Sequence, residues 1–151
     1  MTERPGFRAT DIGIGATWSL MALSMLVRGM PTAMSQYGAP DSLLGNTLYV
    51  DAMTWVFLHR LFISLITTVV GATSRDGRQQ RLFARLMLAA VSVYGYLDIR
   101  SADWALGTAL YKAPGSLGPV VVGAVAFVLW ARLALIRTPS AHPTAHHPAA
   151  G

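Results

Sequence analysis

Six residues have the type and placement to do chemistry: Arg28, Asp51, His59, Arg60, Tyr96 and Asp98. His59 and Arg60 interrupt an apolar run, 52–73, of roughly 22 residues, long enough to cross a bilayer as a helix. If the ends of the run lie at the two interfaces, both residues fall within about 5 Å of the midplane. An arginine at that depth costs several kcal/mol without a partner or water, so something must satisfy it. Asp51, Trp55 and His59 recur at spacing four and share one helix face.

Depth arithmetic suggests where the partner lies. Neighbouring helices of an up-down bundle run antiparallel, so residues can be matched level by level. Setting Thr73 level with Phe83 brings Arg60 to the height of Tyr96, with Asp98 about 3 Å beyond it. Setting Ile12 level with Thr73 places Arg28 near the depth of Phe57. The expectation is a buried polar cluster of Arg28, His59, Arg60 and Asp98 in the outer half, with Asp51 above it. Tyr96 could donate a hydrogen bond into the cluster.

Such a cluster has two readings. An Arg60–Asp98 or Arg28–Asp98 pair that fixes helix register is common and adds little net stability after desolvation. Alternatively, surplus positive charge marks a pocket for an anionic or carbonyl-bearing ligand. Contacts with a partner subunit are a third use for the same groups.

Other chemistry is thinner. His59 is the only histidine in an expected helix, so bis-histidine haem ligation would need a dimer. A pigment with one axial ligand is the other route to a cofactor there. His142, His146 and His147 belong to the polar tail, and no metal site is expected. The chain has no cysteine, which removes disulfides, thiolate nucleophiles and Cys-based metal sites. No serine, histidine and carboxylate are spaced for a hydrolase, which leaves open whether the protein is an enzyme. Gly13 and Gly15 lack the strand-before-helix setting of a dinucleotide fingerprint and read as packing residues. Ser64, Thr67, Thr68 and Gly71, and Gly118, Gly123, Ala124 and Ala126, form small-residue surfaces suited to close helix contact.

The composition places these residues in a membrane. Of 151 residues 53% are hydrophobic and only 13% charged, and mean hydropathy is +0.44. Soluble domains carry about twice that charged fraction. Charges gather in short clusters between long apolar runs. The pI near 10.2 does not imply nucleic acid, because the basic residues flank apolar runs rather than line one soluble face.

Four helices are expected, at about 12–29, 51–73, 82–98 and 117–136, within a single domain, 1–137. Residues 1–11 form a polar lead. The first apolar run could be a signal peptide, since Ala33 and Ser35 offer a cleavage spacing, but we expect it to be retained as a transmembrane helix. Residues 30–50, rich in Pro, Gly, Ser and Asn, read as an exposed outer loop with a short helix starting at Asp41. Asp76 and Gly77 corner a tight turn after the second helix. The tail, 138–151, has nothing with which to build a core and is expected to be disordered.

The arginines orient the bundle. With the N-terminus inside, Arg4, Arg8, Arg75, Arg78, Arg81, Arg85, Arg132 and Arg137 are cytoplasmic, whereas Arg28, Arg100 and Lys112 are outside. That asymmetry fits an all-α four-helix transmembrane bundle with both termini inside an inner membrane.

The polar pair of the second helix, the turn 74–81, and Tyr96 with Asp98 at the end of the third resemble the small bacterial DoxX-like and BphX-like membrane families. The resemblance covers about 12–136 and is mostly one of hydropathy, size and the long first outer loop. It implies an accessory membrane protein linked to redox enzymes. The expected role is thus a membrane accessory or assembly subunit, or a binder of a lipid or quinone-like molecule. The alternative is a small membrane enzyme or transporter working through the polar cluster. Membrane lipid and a homo-oligomer or larger complex are the expected partners.

Overall fold

A computed structural model describes residues 4–104 and 117–135, with side chains over 4–96 and 120–135. Among the described residues there are six helices and no strand. The first, α1 (Phe7–Arg28), starts after Gly6, whose φ of 80° is a left-handed value that glycine adopts at little cost. Arg28 in its last turn complements the negative end of the helix dipole. Gly29, at φ 82°, then turns the chain into α2 (Met30–Ser35), and α3 (Asp41–Leu44) follows. The Asn46 side chain caps α4 (Thr47–Thr73) by accepting from the Tyr49 N–H at 3.2 Å. Asp76 does the same for α5 (Gly77–Trp104), its Oδ1 accepting from the Arg78 N–H at 3.0 Å. The last helix is α6 (Leu117–Leu135).

These bounds depart from expectation in instructive places. Helix α1 begins at Phe7 rather than 12, because Asp11 is an interior residue and not part of a polar lead. The segment 30–50 is not simply an exposed loop: Met30, Ala33, Met34 and Ala39 are buried. Helix α5 runs past both ends of the expected 82–98. The expected tail, 138–151, and the outer-loop residue Lys112 lie outside the described residues.

Helices α1 and α4 form the principal interface and run antiparallel. Two glycines set their spacing. A Cβ on Gly15 would collide with Thr68 Oγ1 and lie 2.7 Å from the Ser64 carbonyl oxygen. A Cβ on Gly71 would lie 2.7 Å from Asp11 Cβ and 3.0 Å from the Ile12 nitrogen. Ser19 Oγ donates to Ser64 Oγ at 3.0 Å across the same seam. Thus Asp11 faces Gly71, Gly15 faces Thr68 and Ser19 faces Ser64, which is the close approach that small residues permit.

The second pair is α5 with α6, and it meets the first through α1 and α6. Although α4 and α5 are consecutive, they do not form a comparable interface. The core accordingly has two parts. At the end shared by the start of α1 and the end of α6, all four long helices contribute, through Phe7, Ile14, Val70, Ala84, Met87, Trp130 and Leu133. Edge-on aromatic contacts tie it together: Trp18 with Trp130 at 5.4 Å and Phe7 with Phe83 at 6.4 Å between centroids. At the other end the described core residues come from α1, α4 and the segment of the short helices: Ala22, Met25, Met30, Met34, Ala39 and Phe57 among them. Two helices, α1 and α4, are long and apolar enough to cross a membrane, and α6 carries a shorter apolar stretch, Val120–Leu135.

Candidate functional site

Polar side chains collect at both ends of the α1–α4 pair. At one end, the outer one in the expected topology, Arg28 closes α1 and its Nη1 lies 3.3 Å from Gln36 Oε1, donating to it. Arg60, at the midpoint of α4, is exposed, and its guanidinium carbon lies 5.9 Å from the centroid of the Phe57 ring. Phe57 packs in the same outer cluster as Tyr37. Burial pushes the Tyr37 hydroxyl above its ordinary pKa, while the nearby Arg60 and Arg28 pull it down. Arg28, Arg60, Gln36 and Tyr37 therefore share one neighbourhood. Among the described residues neither arginine reaches a carboxylate within ion-pair distance.

The expected cluster is only partly assembled. His59 and Asp51 are exposed and lie on the side of α4 turned away from the Ser64–Thr67–Gly71 seam. The Nδ1 of His59 is 2.8 Å from the Trp55 carbonyl oxygen, and the two rings stand 6.0 Å apart. Tyr96 is 61% exposed. The side chain of Asp98 lies outside the described residues. The expected burial of Arg28, Asp51, His59, Arg60 and Tyr96 inside the bundle is not found. The level matching of Arg60 with Tyr96 and Asp98 assumed that α4 packs along α5, whereas α4 packs along α1. Extending the observed α1–α4 register places Arg28 level with Thr54 and Trp55, slightly higher than the expected Phe57.

The opposite end, inner in the expected topology, holds groups that sequence reasoning passed over. Asp11 is fully buried and its Oδ1 accepts a hydrogen bond from the Trp130 indole N–H at 2.7 Å, joining α1 to α6. Its Oδ2 is buried with no hydrogen-bond partner. Gln80, also fully buried, accepts from the Arg4 N–H at 2.8 Å and donates to the Ser74 carbonyl at 3.0 Å. One side chain thus pins the N-terminal segment to the α4–α5 turn. Arg8 Nη2 donates to the Ala72 carbonyl at 2.8 Å. Burial, with Arg81 and Arg85 nearby, lowers the pKa of Arg4. The only available hint was spacing: Phe7, Asp11, Gly15 and Trp18 fall at helical intervals that continue the buried stripe of α1.

Chemically, the inner grouping is a set of helix ties. The outer grouping is rich in donors and poor in acceptors, and suits an anion. No group of three or more His, Cys, Asp or Glu that could hold a metal ion occurs among the described residues. No family model matches the chain, and neither does any curated protein or solved structure.

Proposed function

We propose that the chain is a multi-pass inner-membrane protein, a four-helix transmembrane bundle with both termini inside, serving as a non-catalytic accessory subunit that binds lipid and packs against a protein partner. One observation carries this reading: the large apolar side chains left exposed along all four long helices, Leu20 and Val27 on α1 among them. They include Trp55, Phe62 and Ile66 on α4, Leu82 and Leu86 on α5, and Val121, Val128 and Phe127 on α6. A water-soluble monomer rarely leaves apolar surface on that scale uncovered. Lipid tails or neighbouring helices cover it at no cost. The resemblance to DoxX-like and BphX-like proteins points to the same accessory role.

A second reading has one observation in its favour. When His59 Nδ1–H donates to the Trp55 carbonyl, Nε2 is the ring's lone-pair nitrogen on an exposed membrane face. It is then available as a single axial ligand to a haem or pigment.

Two measurements test the main proposal. Reporters fused at Gly77 and at Gly38 should read inside and outside respectively; the same side for both ends the four-helix topology. Particles extracted in native lipid by polymer should contain more than one chain, or a second protein in fixed ratio. A particle with a single copy and no companion protein would end the accessory reading.

A further inference from the structure

We propose that the outer end of the α1–α4 pair binds the phosphate of an anionic phospholipid, through Arg28, Arg60, the Tyr37 hydroxyl and the Gln36 amide. The proposal rests on the membrane reading above and names the ligand of that surface.

The first argument is a mismatch of donors and acceptors. Gln36 spends its Oε1 on Arg28, which leaves its amide N–H groups to donate elsewhere. The Tyr37 hydroxyl makes no hydrogen bond among the described residues. Two guanidinium groups, an amide and a phenol thus share the Phe57–Tyr37 neighbourhood, and among the described residues no carboxylate lies within ion-pair distance of either arginine. Phosphate oxygens fit such a set, since guanidinium groups bind them in paired, charge-assisted hydrogen bonds.

The second argument is depth. Arg60 stands at the midpoint of an apolar helix and is exposed, a placement that is costly unless an anion or water meets it. By the observed register Arg28 lies about 8 Å nearer the outer interface. The Arg60 guanidinium already lies over Phe57, three residues nearer the outer interface, and can snorkel toward a phosphate bound at or above the level of Arg28. Val56 and Ile63, four residues before and three after Arg60, are exposed on the same face of α4 and offer an apolar wall to the acyl chains.

The third argument is the distribution of charge. Orientation in the membrane accounts for the arginines at the inner end. It gives no reason for Arg28, which stands on the disfavoured side, or for Arg60, which stands near the midplane.

The test titrates phosphatidylglycerol into the full chain held in phosphatidylcholine nanodiscs, with retained lipids counted by native mass spectrometry. The protein should keep phosphatidylglycerol in preference to phosphatidylcholine. Arg28→Gln with Arg60→Gln should weaken that retention roughly thirtyfold, about fivefold for each arginine. Arg75→Gln with Arg78→Gln, two exposed arginines of the inner turn, should leave it unchanged. Should the double arginine variant fail to fold, Tyr37→Phe removes one donor alone and should cost roughly tenfold. Equal retention of the two lipids overturns the proposal, as does an equal loss from the inner-turn variant. Displacement of the lipid by inorganic phosphate at the same concentration would make this a soluble-anion site and overturn the lipid source. None of these outcomes alters the topology or assembly readouts, so this inference can fail while the accessory reading stands.

Discussion

The two ends of the α1–α4 pair hold themselves together in different ways. At the inner end four helices close around Trp130, and the polar groups there are internal ties: Asp11 to Trp130, and Gln80 to Arg4 and Ser74. At the outer end two long helices and two short ones enclose a core with several methionines, and the polar groups lie on its surface. Buried polar contacts tolerate one partner and one geometry, because a group left unpaired in the interior keeps its full desolvation cost. Surface arginines over a core of flexible thioethers tolerate many arrangements. The inner end is built for rigidity and the outer end for adaptation.

Substitutions can break or sharpen this contrast. The largest effect should come from Gly15→Ala, whose new methyl meets not only Thr68 Oγ1 but also the backbone of α4 at Ser64 and Thr68, which cannot swing aside. Overpacking of that kind costs about 1–3 kcal/mol or more. On the opposite side of the same helix, Gly13→Ala meets nothing within 4 Å and should gain up to about 1 kcal/mol from helix propensity. Thermal unfolding in one nanodisc composition compares them; two variants of equal stability would show that the α1–α4 spacing is not set at Gly15.

Trp130→Phe should come next, at about 1–3 kcal/mol, because both Asp11 oxygens are then left unsatisfied in the interior. Adding Asp11→Leu should return part of that loss, since replacing both partners by apolar groups removes the unpaired polar atom. A double variant less stable than the sum of its single changes would show that Asp11 has another role.

Asn46→Ala at the outer end should cost only about 1 kcal/mol, the usual value of a lost helix cap. Hydrogen exchange should register it in the first turn of α4 and leave 64–73 protected. Loss of protection at Thr67 and Gly71 would mean that the two ends unfold together.

Much of the helical layout was legible. Long apolar runs mark the four long helices, and Asp41 marks α3. Ser64, Thr67 and Gly71 read as a packing stripe, and they do face α1. The candidate site was less legible. Depth matching assumed which helices are neighbours, and hydropathy contains no such information. Arg60 was thereby assigned to Asp98 across an α4–α5 interface, whereas the structure sets it beside Phe57 and near Tyr37. Asp11 and Gln80 looked like members of a polar lead and a polar turn, because composition cannot say when a chain end folds back under the bundle.

By itself, the sequence determined the all-helical character, the apolar runs and the clustering of arginine between them, since each follows from local composition and period. Only the tertiary structure decided that α4 pairs with α1, that Asp11 is sealed against Trp130, and that Arg28 reaches Gln36 while Arg60 lies over Phe57. Those outcomes depend on which surfaces approach most closely, and Gly15 and Gly71 let α1 and α4 do so where bulkier side chains would hold them apart.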